Sequence, residues 1–303
     1  MSSAQGLVSI LIPVFNHEKY IEECLTSIIN LTYANIEVLI CDDGSIDNSL
    51  SIVKSWCLQH PGLDVKIFSQ ENKGVCHTLN RLLNEASGEF ITICASDDAL
   101  LPDSISLRLD VMRADPTIEA VIGDAVVING DSAEVNRSAM KSLYNADFSA
   151  LAARPSRELV FNWSVVGPTL LAKRSLYDKI GMYDPNLLVE DRDFYLRCLA
   201  INSLRFVPDV VAKYRVHSDN VSRKSLAARA NIWYQVALSN VKNARLFNGI
   251  ENVFLRSHRI DLFLLSLKRK SFILIMIFGF RAARRMIFGF MYKTSLFLGD
   301  RND

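Results

Sequence analysis

The first hundred residues alternate short, almost wholly apolar runs with longer stretches of helical period, and each apolar run ends in a polar cluster. Val8-Ser9-Ile10-Leu11-Ile12 reads as a buried strand closed by Pro13. Asn16 is placed to cap a helix whose Tyr20, Ile21, Cys24, Leu25, Ile28 and Ile29 share one face. A strand over Ile36 to Cys41, a helix from Asp47 to Gln59, a strand over Val65 to Ser69, a helix from Val75 to Ala86 and a strand over Glu89 to Cys94 follow. Strands apolar on both faces and joined by helices make βαβ units, hence a mainly parallel sheet covered on both sides. Ligands bind such sheets beyond the carboxyl ends of the strands. Pro13-Val14-Phe15-Asn16, Asp42-Asp43, Asn72-Lys73-Gly74 and Ser96-Asp97-Asp98 all fall there.

From about Asp115 to Val216 the pattern is mixed. Ile118 to Val127 reads as one or two strands, Ala146 to Arg157 as helix and Val165 to Leu171 as strand. Glu190-Asp191 opens a helix carrying Phe194, Tyr195, Leu196 and Leu199. After Ser222 only helical signal remains, which divides the chain into an α/β part, 1–222, and a helical part, 223–303.

Adjacent carboxylates at a strand end repel each other unless a cation sits beside them. Asp97-Asp98 therefore suits Mg²⁺ or Mn²⁺ on a diphosphate, the alternative being a cap for the helix near Pro102-Asp103. In Asp42-Asp43-Gly44-Ser45 a carboxylate can accept the ring N–H of uracil or thymine; the alternative is a plain turn. Glu190-Asp191 is either a partner of the helix dipole or, if folded against the metal site, a base for a hydroxyl. His217 follows a strand in Tyr214-Arg215-Val216-His217 and opens a polar loop.

The order of these pieces resembles the family 2 glycosyltransferases. The run from Val8 to Asn16 with Cys41-Asp42-Asp43-Gly44-Ser45-Ile46-Asp47 is similar to that family's opening. Asn72-Lys73-Gly74 and Ala86-Ser87-Gly88-Glu89-Phe90 resemble the approach to its metal motif. Gly167-Pro168-Thr169, Glu190-Asp191-Arg192-Asp193 with Arg197, and Tyr214 to His217 resemble its acceptor side. The resemblance covers residues 7–222. It implies a GT-A fold, a Rossmann-like mixed and mainly parallel sheet flanked by helices, and inverting transfer from a nucleotide-diphospho-sugar to a hydroxyl. It also implies roles. Pro13, Phe15, Asp43, Lys73 and Asp97 would hold the nucleotide. Asp98 and His217 would hold Mn²⁺ or Mg²⁺, and Asp191 would be the base. Glu190, Gly167 and Pro168 would line the donor and acceptor side. The family's Asp-x-Asp-Asp is here Ala95-Ser96-Asp97-Asp98, so the first carboxylate is missing. The rival reading is a non-catalytic nucleotide-sugar binder or scaffold, against which Asp191 and His217 count. A nucleotidyltransferase would want a Gly-rich, Arg-bearing loop where Pro13-Val14-Phe15-Asn16 stands.

Composition matters mainly for the C-terminal part. With 34 Lys+Arg against 33 Asp+Glu in 303 residues, half of them hydrophobic, the chain can fold and lacks the basic footprint of a nucleic-acid binder. Residues 262–303 nevertheless hold eight basic and two acidic residues, net +6, which leaves net −5 on the rest. Neither Phe272 to Phe280 nor Ile287 to Tyr292 reaches the roughly 20 apolar residues of a membrane span. The segment reads as a helix lying on an anionic membrane, the alternative being a core-packing or homo-oligomer-forming helix pair. Six cysteines without a Cys-x-x-Cys pair suit a reducing compartment, and no leader is seen before Leu7. The expectation is a cytoplasmic enzyme, peripheral at the inner face of the cell membrane. Its acceptor would be a glycan or polyprenyl-linked glycan in bacterial surface polysaccharide synthesis.

Overall fold

The computed structural model describes residues 6–217, 226–267, 279–284 and 286–289. The strands are β1 (Val8–Val14), β2 (Ile36–Asp42), β3 (Val65–Ser69), β4 (Phe90–Ile93), β5 (Ala99–Leu100), β6 (Ala120–Ile128), β7 (Glu134–Asn136), β8 (Leu171–Lys173) and β9 (Leu204–Arg215). The helices are α1 (Ile21–Ile29), α2 (Ser49–Gln59), α3 (Val75–Glu85), α4 (Ser104–Ala114), α5 (Ala139–Tyr144), α6 (Phe148–Ala153), α7 (Pro155–Phe161), α8 (Arg174–Ile180), α9 (Asp191–Ala200), α10 (Leu226–Asn243), α11 (Gly249–Ser257) and α12 (Arg259–Ser266). One sheet runs β3-β2-β1-β4-β8-β6-β9-β5, with β7 beside β6. Its first four strands are mutually parallel, as expected; β8 is antiparallel to both β4 and β6, and β9 returns parallel to β6.

Pro13 lies inside β1 because its missing N–H is not needed there. Pairing with β4 stops at Leu11↔Ile93, while pairing with β2 continues to Val14↔Asp42. Leu11 turns its carbonyl to Cys94 on the β4 side, and Pro13, two residues on, faces the same way past the end of that strand.

A buried acid locks the parallel half. Glu37 on β2 accepts hydrogen bonds from Ser9 Oγ (2.6 Å), Ser87 N (2.6 Å), Ser87 Oγ, Gly88 N (3.0 Å) and Lys66 Nζ (3.0 Å). It thereby ties β1, β2 and the turn into β4 together. Burial alone would raise the carboxyl; the donors around it outweigh burial and lower it to about 2. Gly88 fits because a Cβ there would stand 2.5 Å from Ser9 Oγ and 2.7 Å from Ser9 N.

Several local expectations are corrected. Asn16 does not cap α1: it has φ +54°, and its Oδ1 accepts Ile46 N instead (2.9 Å). The helix expected over 146–157 is two, α6 and α7, broken at Arg154 because Pro155 starts afresh at a first helical turn. Residues 165–170 are irregular around a 3-10 turn at Gly167–Thr169, with only β8 extended.

The C-terminal helices pack on the α/β part. Phe254 and Leu255 of α11 bury in the same core as the sheet, while Leu264, Trp233 and Leu265 form a small cluster of their own. Residues 279–284 and 286–289 are helical; Phe288 stacks 6.4 Å from Phe161 and 5.2 Å from Phe254, and Arg284 pairs with Asp261. Much of the apolar run beginning at Phe272 lies outside the described residues. Among the described residues no helix is long and apolar enough to cross a membrane.

Candidate active site

The loops after β1 and β2 are sewn together. Asn16 N donates to Ser45 Oγ, His17 N to Ser49 Oγ and Glu18 N to Asp47 Oδ2 (2.9, 2.9 and 3.0 Å), while Asn48 N donates back to Glu18. This stitching carries the chain out of β1 and sets His17 at the carboxyl end of the sheet.

Asp43 is buried at the end of β2. Its Oδ1 accepts from Gln70 Nε2 (2.8 Å) and Lys73 N (2.9 Å), and its Oδ2 from Gly74 N (2.8 Å). The carboxylate thus shapes the 72–74 loop with its own acceptor sites and keeps a lone pair on Oδ2. The Lys73 side chain is exposed, as is much of Phe15, while Pro13 is half-buried below it.

At the end of β4 the two adjacent acids part company. Asp98 is 3% exposed and accepts the backbone N–H of Arg215 on Oδ1 (2.8 Å); burial, with Asp97 beside it, holds its carboxyl well above the usual range. Asp97 instead faces two imidazoles. Its Oδ2 is 3.1 Å from His217 Nε2, and its Oδ1 is 3.8 Å from His17 Nδ1. Donor atoms of His17, Asp97 and His217 all lie within 4.8 Å of one another, close enough to hold one ion. The structure therefore brings His217 to Asp97 rather than to Asp98. Imidazole nitrogen with carboxylate oxygen suits a divalent transition-metal ion.

Arg215 fixes this loop. Fully buried, it donates from Nε to Asp97 O (2.7 Å) and from Nη1 to Asn129 O (2.9 Å) and Ser132 Oγ (3.0 Å), pairs with Glu23 of α1, and lies 4.7 Å over the Tyr20 ring. Tyr20 in turn packs 4.8 Å from the His217 ring. His17 and Glu23 are site residues that motif reading missed, and Arg215 stood inside the Tyr214 to His217 motif without a role of its own. His17 was within reach, being the next residue in the first polar strand end.

Glu190 and Asp191 open α9. Burial raises both carboxyls, and the Asp191 charge adds to the rise of Glu190. Asp191 Oδ1 accepts Arg192 N (2.5 Å). Burial chiefly, then Tyr144 and the carboxylates of Asp98, Asp97 and Asp191, pushes the Tyr214 phenol up. The α9 start is clamped from behind. Arg192 donates to Leu159 O, Val160 O and Asn240 Oδ1 (2.8, 3.0 and 2.7 Å), and Asp193 accepts from Asn243 Nδ2 (2.8 Å) and pairs with Lys242 and Arg197 (3.1 Å each). Two of the four charged residues in Glu190-Asp191-Arg192-Asp193 are thus scaffold, held by partners from α7, α9 and α10. Gly167 is exposed and a Cβ there would meet nothing within 4 Å, whereas Pro168 is buried. Arg108, fully buried, holds that turn through Thr169 O (2.9 Å).

Residues 9–182 match the model of the family described as Glycosyl transferase family 2. The chain belongs to glycosyl transferase family 2. Among curated family members, a chondroitin synthase of Escherichia coli is 42% identical over 115 residues, covering 38% of this chain and 16% of that protein. A hyaluronan synthase of Pasteurella multocida is 36% identical over 222 residues, covering 73% and 21%. The uncharacterized glycosyltransferase RT0329 of Rickettsia typhi is 28% identical, covering 73% and 67%. The chain thus spans less than a quarter of the length of the two synthases. Solved structures share the GT-A architecture. The mannosyltransferase PcManGT of Pyrobaculum calidifontis, in complex with GDP-Man and Mn²⁺, aligns with TM-score 0.63 at 21% identity, covering 98% of this chain and 80% of that one. S. aureus TarS 1-349 in complex with UDP-GlcNAc aligns with TM-score 0.61 at 19% identity, covering 87% and 77%.

Proposed function

We propose that this family 2 glycosyltransferase moves a sugar from a nucleotide-diphospho-sugar, a UDP-sugar by preference, to a hydroxyl of a glycan or lipid-linked acceptor, with inversion. The observation that carries the reading is the meeting of His17, Asp97 and His217 at the carboxyl end of β1 and β4. The two structural neighbours, one in complex with UDP-GlcNAc and the other with GDP-Man and Mn²⁺, support a nucleotide-sugar donor and a divalent metal. The names of the chondroitin and hyaluronan synthases support a glycan product.

In this reading the remaining lone pair of Asp43 Oδ2 accepts the uracil ring N–H, and the exposed Phe15 covers the base. Asp97, His17 and His217 hold the metal, which when bound neutralises charge on the diphosphate leaving group. Asp98 and Arg215 keep the metal loop in place. Asp191 takes the proton from the attacking hydroxyl, and its surroundings favour that step because burial makes the carboxylate more basic. Nucleotide release from a panel of UDP-sugars with Mn²⁺ tests the reading. Asp191→Asn should lower turnover about 10²–10⁴-fold while UDP binding persists. Near-normal turnover would remove Asp191 as the base, and no release from any donor would favour a binding role.

A second reading concerns location. Val253 of α11, Ile260 and Phe263 of α12 and Leu267 just beyond it are exposed, with Arg256 and Arg259 exposed among them. Apolar side chains flanked by guanidinium groups fit the surface of an anionic bilayer, as at the inner face of a bacterial cell membrane where surface polysaccharide is assembled. Phe263→Glu with Ile260→Glu should abolish flotation with phosphatidylglycerol vesicles; undiminished flotation contradicts this location.

A further inference from the structure

We propose, resting on the transferase reading above, that His17 is a third metal ligand beside Asp97 and His217, and that the resulting two-imidazole, one-carboxylate set selects Mn²⁺ over Mg²⁺. Ala95 itself offers a cation nothing. It has no donor side chain, and its carbonyl is turned inward to Asp98 N (2.9 Å) and the Cys24 thiol (3.6 Å). A metal held by Asp97 and His217 alone would have only two protein ligands.

His17 fills the third position by construction. The left-handed turn at Asn16 and the bond from His17 N to Ser49 Oγ bring its ring beside both Asp97 and His217. The two oxygens of Asp97 are each flanked by a different imidazole, and the rings stand edge to face at 5.9 Å and 88°. Ser96 Oγ lies 2.8 Å from His17 Nδ1, where its hydroxyl proton can point at the nitrogen lone pair and rotate away when a cation takes that lone pair.

The ligand chemistry then decides between metals. Mg²⁺ demands hard oxygen ligands in near-ideal octahedral geometry and loses water reluctantly. Imidazole is a borderline donor that suits first-row transition ions. Exchanging a carboxylate for a neutral imidazole also leaves the protein–metal unit with one more positive charge toward the diphosphate.

The test is Mn²⁺ titrated into the full chain with UDP, read by electron spin echo modulation from ¹⁴N and by calorimetry. The wild-type spectrum should show two imidazole nitrogens, and His17→Ala one, with Mn²⁺ affinity reduced at least about tenfold. His17→Asp should bind Mn²⁺ and gain affinity for Mg²⁺. A one-nitrogen wild-type spectrum overturns the proposal without needing any variant to fold, and so does unchanged Mn²⁺ affinity in folded His17→Ala. Nucleotide release by the wild type, measured in parallel, reports separately on the transferase reading. Turnover with a one-nitrogen spectrum keeps that reading and removes this one.

Discussion

Glu37 gives a prediction whose size follows from the structure. Its side chain is 1% exposed and surrounded by donors from Ser9, Ser87, Gly88 and Lys66, so its carboxyl is held at about 2 instead of the ordinary 4.5. That difference favours the folded state by about 3 kcal/mol at neutral pH, since each tenfold change in proton affinity is worth roughly 1.4 kcal/mol. Because the folded value is depressed, the stabilisation is fully present above pH 4.5 and is lost as pH falls through about 2. Glutamine resembles the protonated acid. Glu37→Gln should therefore be less stable than wild type by about 3 kcal/mol at pH 7 and by only about 1 kcal/mol at pH 3. Urea unfolding followed by circular dichroism at pH 7, 5, 4 and 3 reads this directly, since the difference between the two proteins cancels every other titrating group. A stability gap that stays constant across that range would refute the claim that Glu37 folds ionised.

Other consequences are local. Gly88→Ala should cost at least about 1–3 kcal/mol in urea melts, because the new Cβ meets Ser9 backbone at 2.7 Å and Leu7 O at 2.8 Å; a neutral effect would deny the close approach of the turn to β1. Asn243→Ala removes a buried donor to Asp193 and should lower kcat more than it raises donor KM, by loosening the start of α9; equal effects on both, or none, would remove α10 from the site's support. Gly167→Leu should leave the melting temperature near wild type, since nothing stands within 4 Å of its Cβ, yet depress sugar transfer. Normal transfer by that variant would place Gly167 outside the substrate's path.

The parallel half was legible because its signal is local: β1 to β4 are short apolar runs, each joined to the next by a segment of helical period. The mixed half was less so. β9 carries Pro208-Asp209 in its middle and tolerates them through register shifts opposite Gly123, where a Cβ would lie 2.9 Å from Asp209 O. No periodicity announces that arrangement. β5 and β7 are too short to stand out and exist only because a long strand offers them an edge. At the site, the acids were visible as strand ends, but which of Asp97 and Asp98 faces the imidazoles depends on Arg215 N–H, which lies 117 residues away from Asp98. The same holds for Arg192 and Asp193, whose partners Asn240 and Asn243 come from a helix that carries no motif.

The measurement closest to the central claim is UDP binding by calorimetry with and without Mn²⁺, on wild type and on Asp97→Asn. Mn²⁺ should strengthen UDP binding to the wild-type chain and do nothing for Asp97→Asn, while both proteins melt alike. UDP affinity that responds to Mn²⁺ equally in both proteins would contradict a metal site built on Asp97.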